Sequence, residues 1–156
     1  GAFPVLSPRG AVCAELLVIV PEPEENDSDA LLSGPQGRLL AGILQAAGIS
    51  SDQTYLAPVL RRHTPMPDWA ALRAAGISDV LTHHITLAAP KRVLAFGRNI
   101  PPLLGNDTAQ GTVILPNINH DSGSIPVMGV GSLSELLRSA GRRQRFWQRW
   151  LEWTDS

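Results

Sequence analysis

Short apolar runs alternate with segments of helical period along this chain, and that alternation leaves few folds open to it. Leu16 to Val20 is apolar without helical period, which predicts a buried strand. A proline-stiffened loop follows. Gly34 and Pro35 then open a segment that puts Leu39, Leu40, Ile43, Leu44 and Ala47 on one helical face, and Gly48 is a suitable stop.

The pattern recurs downstream. Thr54 to Leu60 reads as a second strand, with Pro58 near its end because proline cannot donate to a central ladder. Asp68 is a candidate cap for a short helix from Trp69 to Ala75, and Ser78 for a helix that turns Leu81, Ile85 and Ala88 inward and ends at Pro90. Lys91 to Phe96 is a third strand. Residues 98 to 111 are expected to hold one short helix and a loop. Of the remaining candidates, Val113 to Leu115 and Ile125 to Val130, the latter is the better fourth parallel strand. Ser132 and Glu135 form an S-x-x-E capping signature. A final helix, about Arg142 to Trp153, stacks Phe146, Trp150 and Trp153 on one side.

These elements predict one three-layer α/β/α domain over residues 1–156, built on a short, mainly parallel four-stranded sheet, with residues 1–14 as an irregular extension. A chain of 156 residues can bury roughly 70% of its unfolded surface without metals or disulfides. The single cysteine, Cys13, excludes a disulfide framework and a four-thiolate cluster, so no cofactor or metal is expected and a cytoplasmic location is the economical reading. No apolar run reaches the ~20 residues that span a bilayer, so no membrane partner is expected. Gly1 reads as a tag remnant, and the abrupt start suggests a natural chain extending upstream.

A net charge of -1 conceals two opposed clusters. Glu22, Glu24, Glu25, Asp27 and Asp29 crowd the loop after the first strand, and Arg138, Arg142, Arg143, Arg145 and Arg149 crowd the C-terminal region. The acidic loop stands where parallel α/β proteins place ligand chemistry. Its charge predicts a solvated segment that repels phosphate, and its spacing matches no calcium-loop pattern. The arginines could neutralise phosphates, with the tryptophans either stacking on bases or buried as core.

Three stretches carry a family resemblance. Gly34 to Leu40 follows an F-V-G-x-A-G-x-L-L helix opening; Leu81 to Gly97 follows L-x-x-Q-I-x-L-x-x-P-K-x-V-L-x-x-G; Leu136, Leu137 and Arg138, with Trp147 downstream, follow the L-L-R and tryptophan after an H-P-S motif. In this order and spacing, over roughly residues 15 to 153, the chain resembles the uracil-DNA glycosylase superfamily, closest to its bacterial and archaeal iron-sulfur type. The resemblance implies a site at the carboxyl ends of the strands, around residues 20 to 32, 58 to 62, 117 to 121 and 129 to 138.

The same resemblance implies that the chemistry is degenerate. The family's G-E-A-P-G motif falls on Val20 to Glu24, where only Pro23 survives, and its uracil-stacking phenylalanine falls on Leu32. The base-reading asparagine falls on Pro58, which has neither a side-chain donor nor a backbone N–H. The H-P-S histidine falls near Ser132, and a cluster cysteine near Ile77. Asp27 is left as the candidate for positioning water, with Ser132 or His120, which neighbours Asp121, as candidates for stabilising a leaving base. His83 and His84 read as structural.

Three functional expectations follow. The first is a catalytically degenerate glycosylase homologue that binds DNA or a DNA-repair protein through Arg138, Arg142, Arg143 and Arg145. The second is an active glycosylase acting on another damaged base, with non-standard residues. The third is a protein-interaction domain with no nucleic-acid role. A pocket plugged by Leu32 and Pro58 would favour a non-enzyme.

Overall fold

The computed structural model describes residues 8–10, 14–24, 27, 31–64, 67–104, 110–114 and 124–154. Four strands make the parallel centre: β2 (Leu16–Val20), β3 (Thr54–Pro58), β4 (Arg92–Phe96) and β6 (Ser124–Val130). A two-residue strand, β1 (Arg9–Gly10), and β5 (Gln110–Ile114) add antiparallel edges, giving the order β1-β3-β2-β4-β6-β5. The expected parallel core is therefore present; the strand candidate at Val113 to Leu115 falls on β5, which starts three residues earlier and pairs antiparallel, and β1 is an edge that the strand patterns did not announce. β1 is too short to show a period.

Strand alternation sorts the core into two layers. Leu16, Val18 and Val20 of β2, with Leu94, Phe96, Met128 and Val130, meet α1 (Pro35–Ala46), α5 (Leu133–Arg138) and α6 (Ala140–Thr154) through Leu40, Leu136, Phe146 and Trp150. Leu17 and Ile19, with Val93, Ala95 and Val127, meet α3 (Ile77–Ala88) and α4 (Ile100–Leu103) through Leu81, Ile85, Ile100 and Leu103. The short α2 (Trp69–Ala74) adds Trp69 at the margin of this second layer. Both faces of β2 are closed to water, which explains a run without alternation in polarity.

Local signals account for most helix starts. Gly34 is the N-cap of α1 with proline just inside, and Asp68 caps α2 by accepting the Ala71 amide at 3.1 Å. Ser78 does not cap α3: the cap lies two residues earlier, at Gly76 in the left-handed region at φ 95°. Ser132 caps α5, accepting the Glu135 amide at 3.2 Å, but the return half of the capping box is not made because the Glu135 carboxylate turns to arginines. The second strand stops at Pro58, although Val59 and Leu60 still donate to the carbonyls of Val20 and Pro21.

The chain leaves β2 for β3 on one side and reaches β4 on the other. Parallel sheets open a crevice beyond the strand ends where the order reverses in this way. Here that crevice lies past Val20 and Phe96, between β2 and β4. Gly97 makes the exit from β4 possible at φ 146°, a backbone conformation closed to side-chain-bearing residues.

Candidate functional site

The loop after β2 is acidic in sequence, yet two of its acids turn inward. Asp27 is 3% exposed, and its Oδ2 accepts the amide hydrogens of Glu24 at 2.9 Å and Leu32 at 2.7 Å. Its Oδ1 accepts the Ser33 amide at 2.8 Å and the Ser33 hydroxyl at 2.7 Å. Burial works to raise the Asp27 pKa, but the bonds from Ser33, Leu32 and Glu24 together outweigh it and hold the carboxyl below its usual range.

Glu24 is also buried. Its Oε2 accepts the Gly34 amide and its Oε1 the Gln36 amide, each at 2.7 Å. These are opening amides of α1, which have no partner inside the helix. The expectation of a solvated loop is corrected at Glu24 and Asp27, which satisfy backbone donors so that their charge is spent inside the fold; Glu25 and Asp29 lie outside the described residues. The helix N-terminus, a position suited to phosphate, already holds the protein's own carboxylate.

Glu22 turns the other way. Its Oε2 accepts the Thr64 amide at 2.6 Å, and its Oε1 lies 3.8 Å from His63 Nδ1. His63 Nδ1 is also 2.9 Å from the Pro23 carbonyl. A carbonyl only accepts, so this nitrogen carries the hydrogen. The loop after β3 is thereby tied to the loop after β2.

Between these loops and the start of α5 lies a cavity of about 180 Å³. Val20, Pro21 and Phe96 form its apolar walls; Glu22, Gln36, His63, Ser132 and Ser134 supply polar groups, and Pro23 also borders it. Ser132 Oγ is occupied as acceptor by the Glu135 amide, which leaves its hydroxyl hydrogen to donate. The volume falls below the roughly 300–1,000 Å³ of ligand pockets, so a small polar group fits and a large ligand does not. A larger recess of about 630 Å³ lies between α1 and the β1–β3 edge, walled by Leu40, Leu44, Ile49, Leu56 and neutral polar residues. It lacks ionisable side chains and lies away from the strand ends, so the smaller cavity is the candidate site.

Of the expected site residues, Pro23 and Ser132 line this cavity. Asp27 is held within its own loop. Leu32 is buried in the core beneath α1, with its backbone at φ 53°. Pro58 is buried in the ladder opposite Val20. None of these three is among the lining residues. His120 and Asp121 lie outside the described residues.

The arginines divide by role. Arg143 Nη1 donates to the carbonyls of Leu136 and Leu137 at 2.7 and 3.1 Å, closing the end of α5. Arg149 donates to the Gly129 carbonyl at 2.9 Å, and Arg142 pairs with Glu135 at 3.0 Å. Arg138 and Arg145 are exposed and make no ion pair among the described residues. The tryptophans serve packing: Trp150 is buried, with Trp147 and Trp153 against the same cluster. His84 shares a 2.8 Å hydrogen bond with the Tyr55 hydroxyl, and His83 is exposed.

Gln36, His63 and Ser134 are cavity residues that the sequence patterns did not single out. His63 sits five residues past Pro58, just beyond the expected stretch after the second strand, and Gln36 lies in the helix opening that carries the resemblance. Their places relative to strand ends and a helix start were the available signals. Among the described residues, no group of three or more His, Cys, Asp or Glu side chains could hold a metal ion, and no helix is long and apolar enough to cross a membrane.

No family model matches the chain, and no curated protein sequence matches it. The class defined by the architecture is a small three-layer α/β/α fold with a cavity at the switch point of a parallel sheet.

Proposed function

We propose that this chain is a uracil-DNA glycosylase-like domain with degenerate excision chemistry, which binds DNA, or a DNA-repair protein already on DNA, through its C-terminal arginines. The observation that carries the loss of excision is the engagement of Asp27. A water-positioning carboxylate needs a free oxygen facing the substrate. Both oxygens of Asp27 are instead filled by four donors from its own loop and the turn before α1.

The cavity supports the same reading. It is small, and the proline in place of a base-reading asparagine brings no hydrogen-bonding group to it. The polar groups the cavity does hold, from Glu22, Gln36, His63, Ser132 and Ser134, come from other elements than the end of the second strand, where the base-reading group would stand. For binding, the support is the exposure of Arg138, Arg142 and Arg145 at one end of the α5–α6 pair.

Two assays test the proposal. Fluorescence anisotropy at low salt should show binding to single- or double-stranded oligonucleotides, with affinity falling steeply as salt rises. No binding to either would reject the DNA reading. Incubation with oligonucleotides carrying uracil, hypoxanthine and other lesions should leave no abasic sites. Abasic product would favour the active-enzyme reading, for which Glu22, His63 and Ser132 share one cavity.

A further inference from the structure

The C-terminal arginines are joined at Glu135, whose amide donates to the cavity-lining Ser132, by one from another part of the chain. Arg98, in the turn after β4, places Nη2 3.3 Å from Glu135 Oε2, and Arg142 of α6 places Nη1 3.0 Å from the same oxygen. Two guanidiniums from separate elements thus converge on one carboxylate oxygen. Glu135 lies against the backbone here because residue 131 is glycine: a β-carbon there would stand 2.9 Å from that oxygen. Gly131 adjoins Ser132, which lines the cavity.

The charge at this point is unbalanced. Glu135 offers one negative charge to Arg98 and Arg142, while Arg138 lies one turn along α5 and Arg145 one turn along α6, neither in an ion pair among the described residues. Each guanidinium has five N–H donors. Arg98 and Arg142 are 69% and 43% exposed at the side chain, so both reach solvent while paired with Glu135.

We infer that Arg98, Arg142, Arg138 and Arg145 form a continuous phosphodiester track, with Glu135 as the internal counter-ion that holds Arg98 and Arg142 in place in the free protein. This rests on the DNA-binding reading above and adds to it Arg98, a contact from the sheet side, and a negative residue that opposes binding. Because the Glu135 amide donates to Ser132, which lines the cavity, the track passes beside that wall of the cavity. A guanidinium fork matches a phosphate with two parallel hydrogen bonds, so these arginines can exchange a shared carboxylate oxygen for a phosphate without repositioning the backbone.

The experiment is anisotropy with a fluorescein-labelled single strand and its duplex, over a series of salt concentrations. Arg98→Ala should weaken binding about fivefold and reduce the salt slope by about 0.7–0.9, the value of one phosphate contact. Glu135→Gln removes the opposing charge and should tighten binding about threefold, and Arg98→Lys should retain part of the affinity. Arg73→Ala, on α2, should change nothing. Thermal melts of each variant establish that the folds compare.

Absence of wild-type binding overturns both this inference and the reading beneath it. Wild-type binding that is indifferent to Arg98→Ala and Glu135→Gln overturns this inference alone. Polyglutamate competing as well as DNA at equal charge would identify the track as a surface for acidic protein and overturn the nucleic-acid assignment.

Discussion

Leu32 holds a left-handed backbone at φ 53° while its amide donates to Asp27 Oδ2 at 2.7 Å. Leucine rarely adopts this conformation, which costs on the order of 1–3 kcal/mol and needs support from its surroundings. Asp27 supplies part of that support, and the buried Leu32 side chain supplies more.

Asp27→Asn should therefore destabilise the fold. One amide –NH2 would replace an oxygen that accepts two hydrogen bonds, setting donor against donor. The expected loss is about 2–3 kcal/mol in denaturant unfolding, consistent with disrupted hydrogen bonds to a buried charge. A change below about 0.5 kcal/mol would show that the carboxylate does not organise the loop.

The same carboxyl sets the sign of an acid transition. Its folded pKa lies below its usual value, so the folded state releases this proton more readily than the unfolded state. The stabilising contribution is complete above the unfolded value near 3.9 and is lost as pH falls through the depressed folded value. Wild type should accordingly lose more stability than Asp27→Asn across this acidic window.

His84 acts at higher pH. Burial, then the charges of Arg61 and His83, lower its pKa from 6.5. The unfolded chain thus takes up a proton first as pH falls, and wild type should lose stability from about pH 6.5 downward until the folded imidazole also protonates. Unfolding curves of His84→Gln across this window should be flatter than those of wild type; equal slopes would contradict the assignment.

Gly37 is a steric requirement. A β-carbon at this position would overlap the Leu32 carbonyl oxygen, which is backbone and cannot swing aside. Gly37→Ala should cost about 3 kcal/mol or more, near the upper end for overpacking, despite alanine's better helix propensity. Gly42→Ala on the same helix has open space and should be neutral or stabilising by up to about 1 kcal/mol.

Glu24→Ala should cost about 1–2 kcal/mol by leaving the Gly34 and Gln36 amides without their carboxylate. It should also create a weak anion site at the start of α1. Added sulfate should then raise the Tm of the variant more than that of wild type, a difference that calorimetry can measure.

The parallel centre was legible because its strands are closed to water on both faces, as in Leu16 to Val20. The edge strand β1 was not, since it is two residues long and shows no period. Ser132 was legible as a cap because its signal is local. Asp27 and Glu24 were misread as solvent-facing charge because their partners, from Leu32 to Gln36, are backbone amides, and an amide leaves no mark in the residue letters. The meeting of His63 with Glu22 and of Arg98 with Glu135 depends on which loops the sheet brings together, and spacing along the chain carries no such information.

The order of strands has a consequence for how the molecule is assembled. In the parallel centre, Val20 aligns with Pro58, Leu16 with Arg92 and Val93 with Val127, so every ladder joins segments distant along the chain. Each pairing must close a long loop before its contacts repay the lost chain entropy, which slows folding relative to a helical bundle of similar size. β2 is the shared partner of β3 and β4, and neither half of the sheet can be completed before it is seated. Slow refolding, with β2 amides among the last to exchange with solvent, is the kinetic signature of this arrangement.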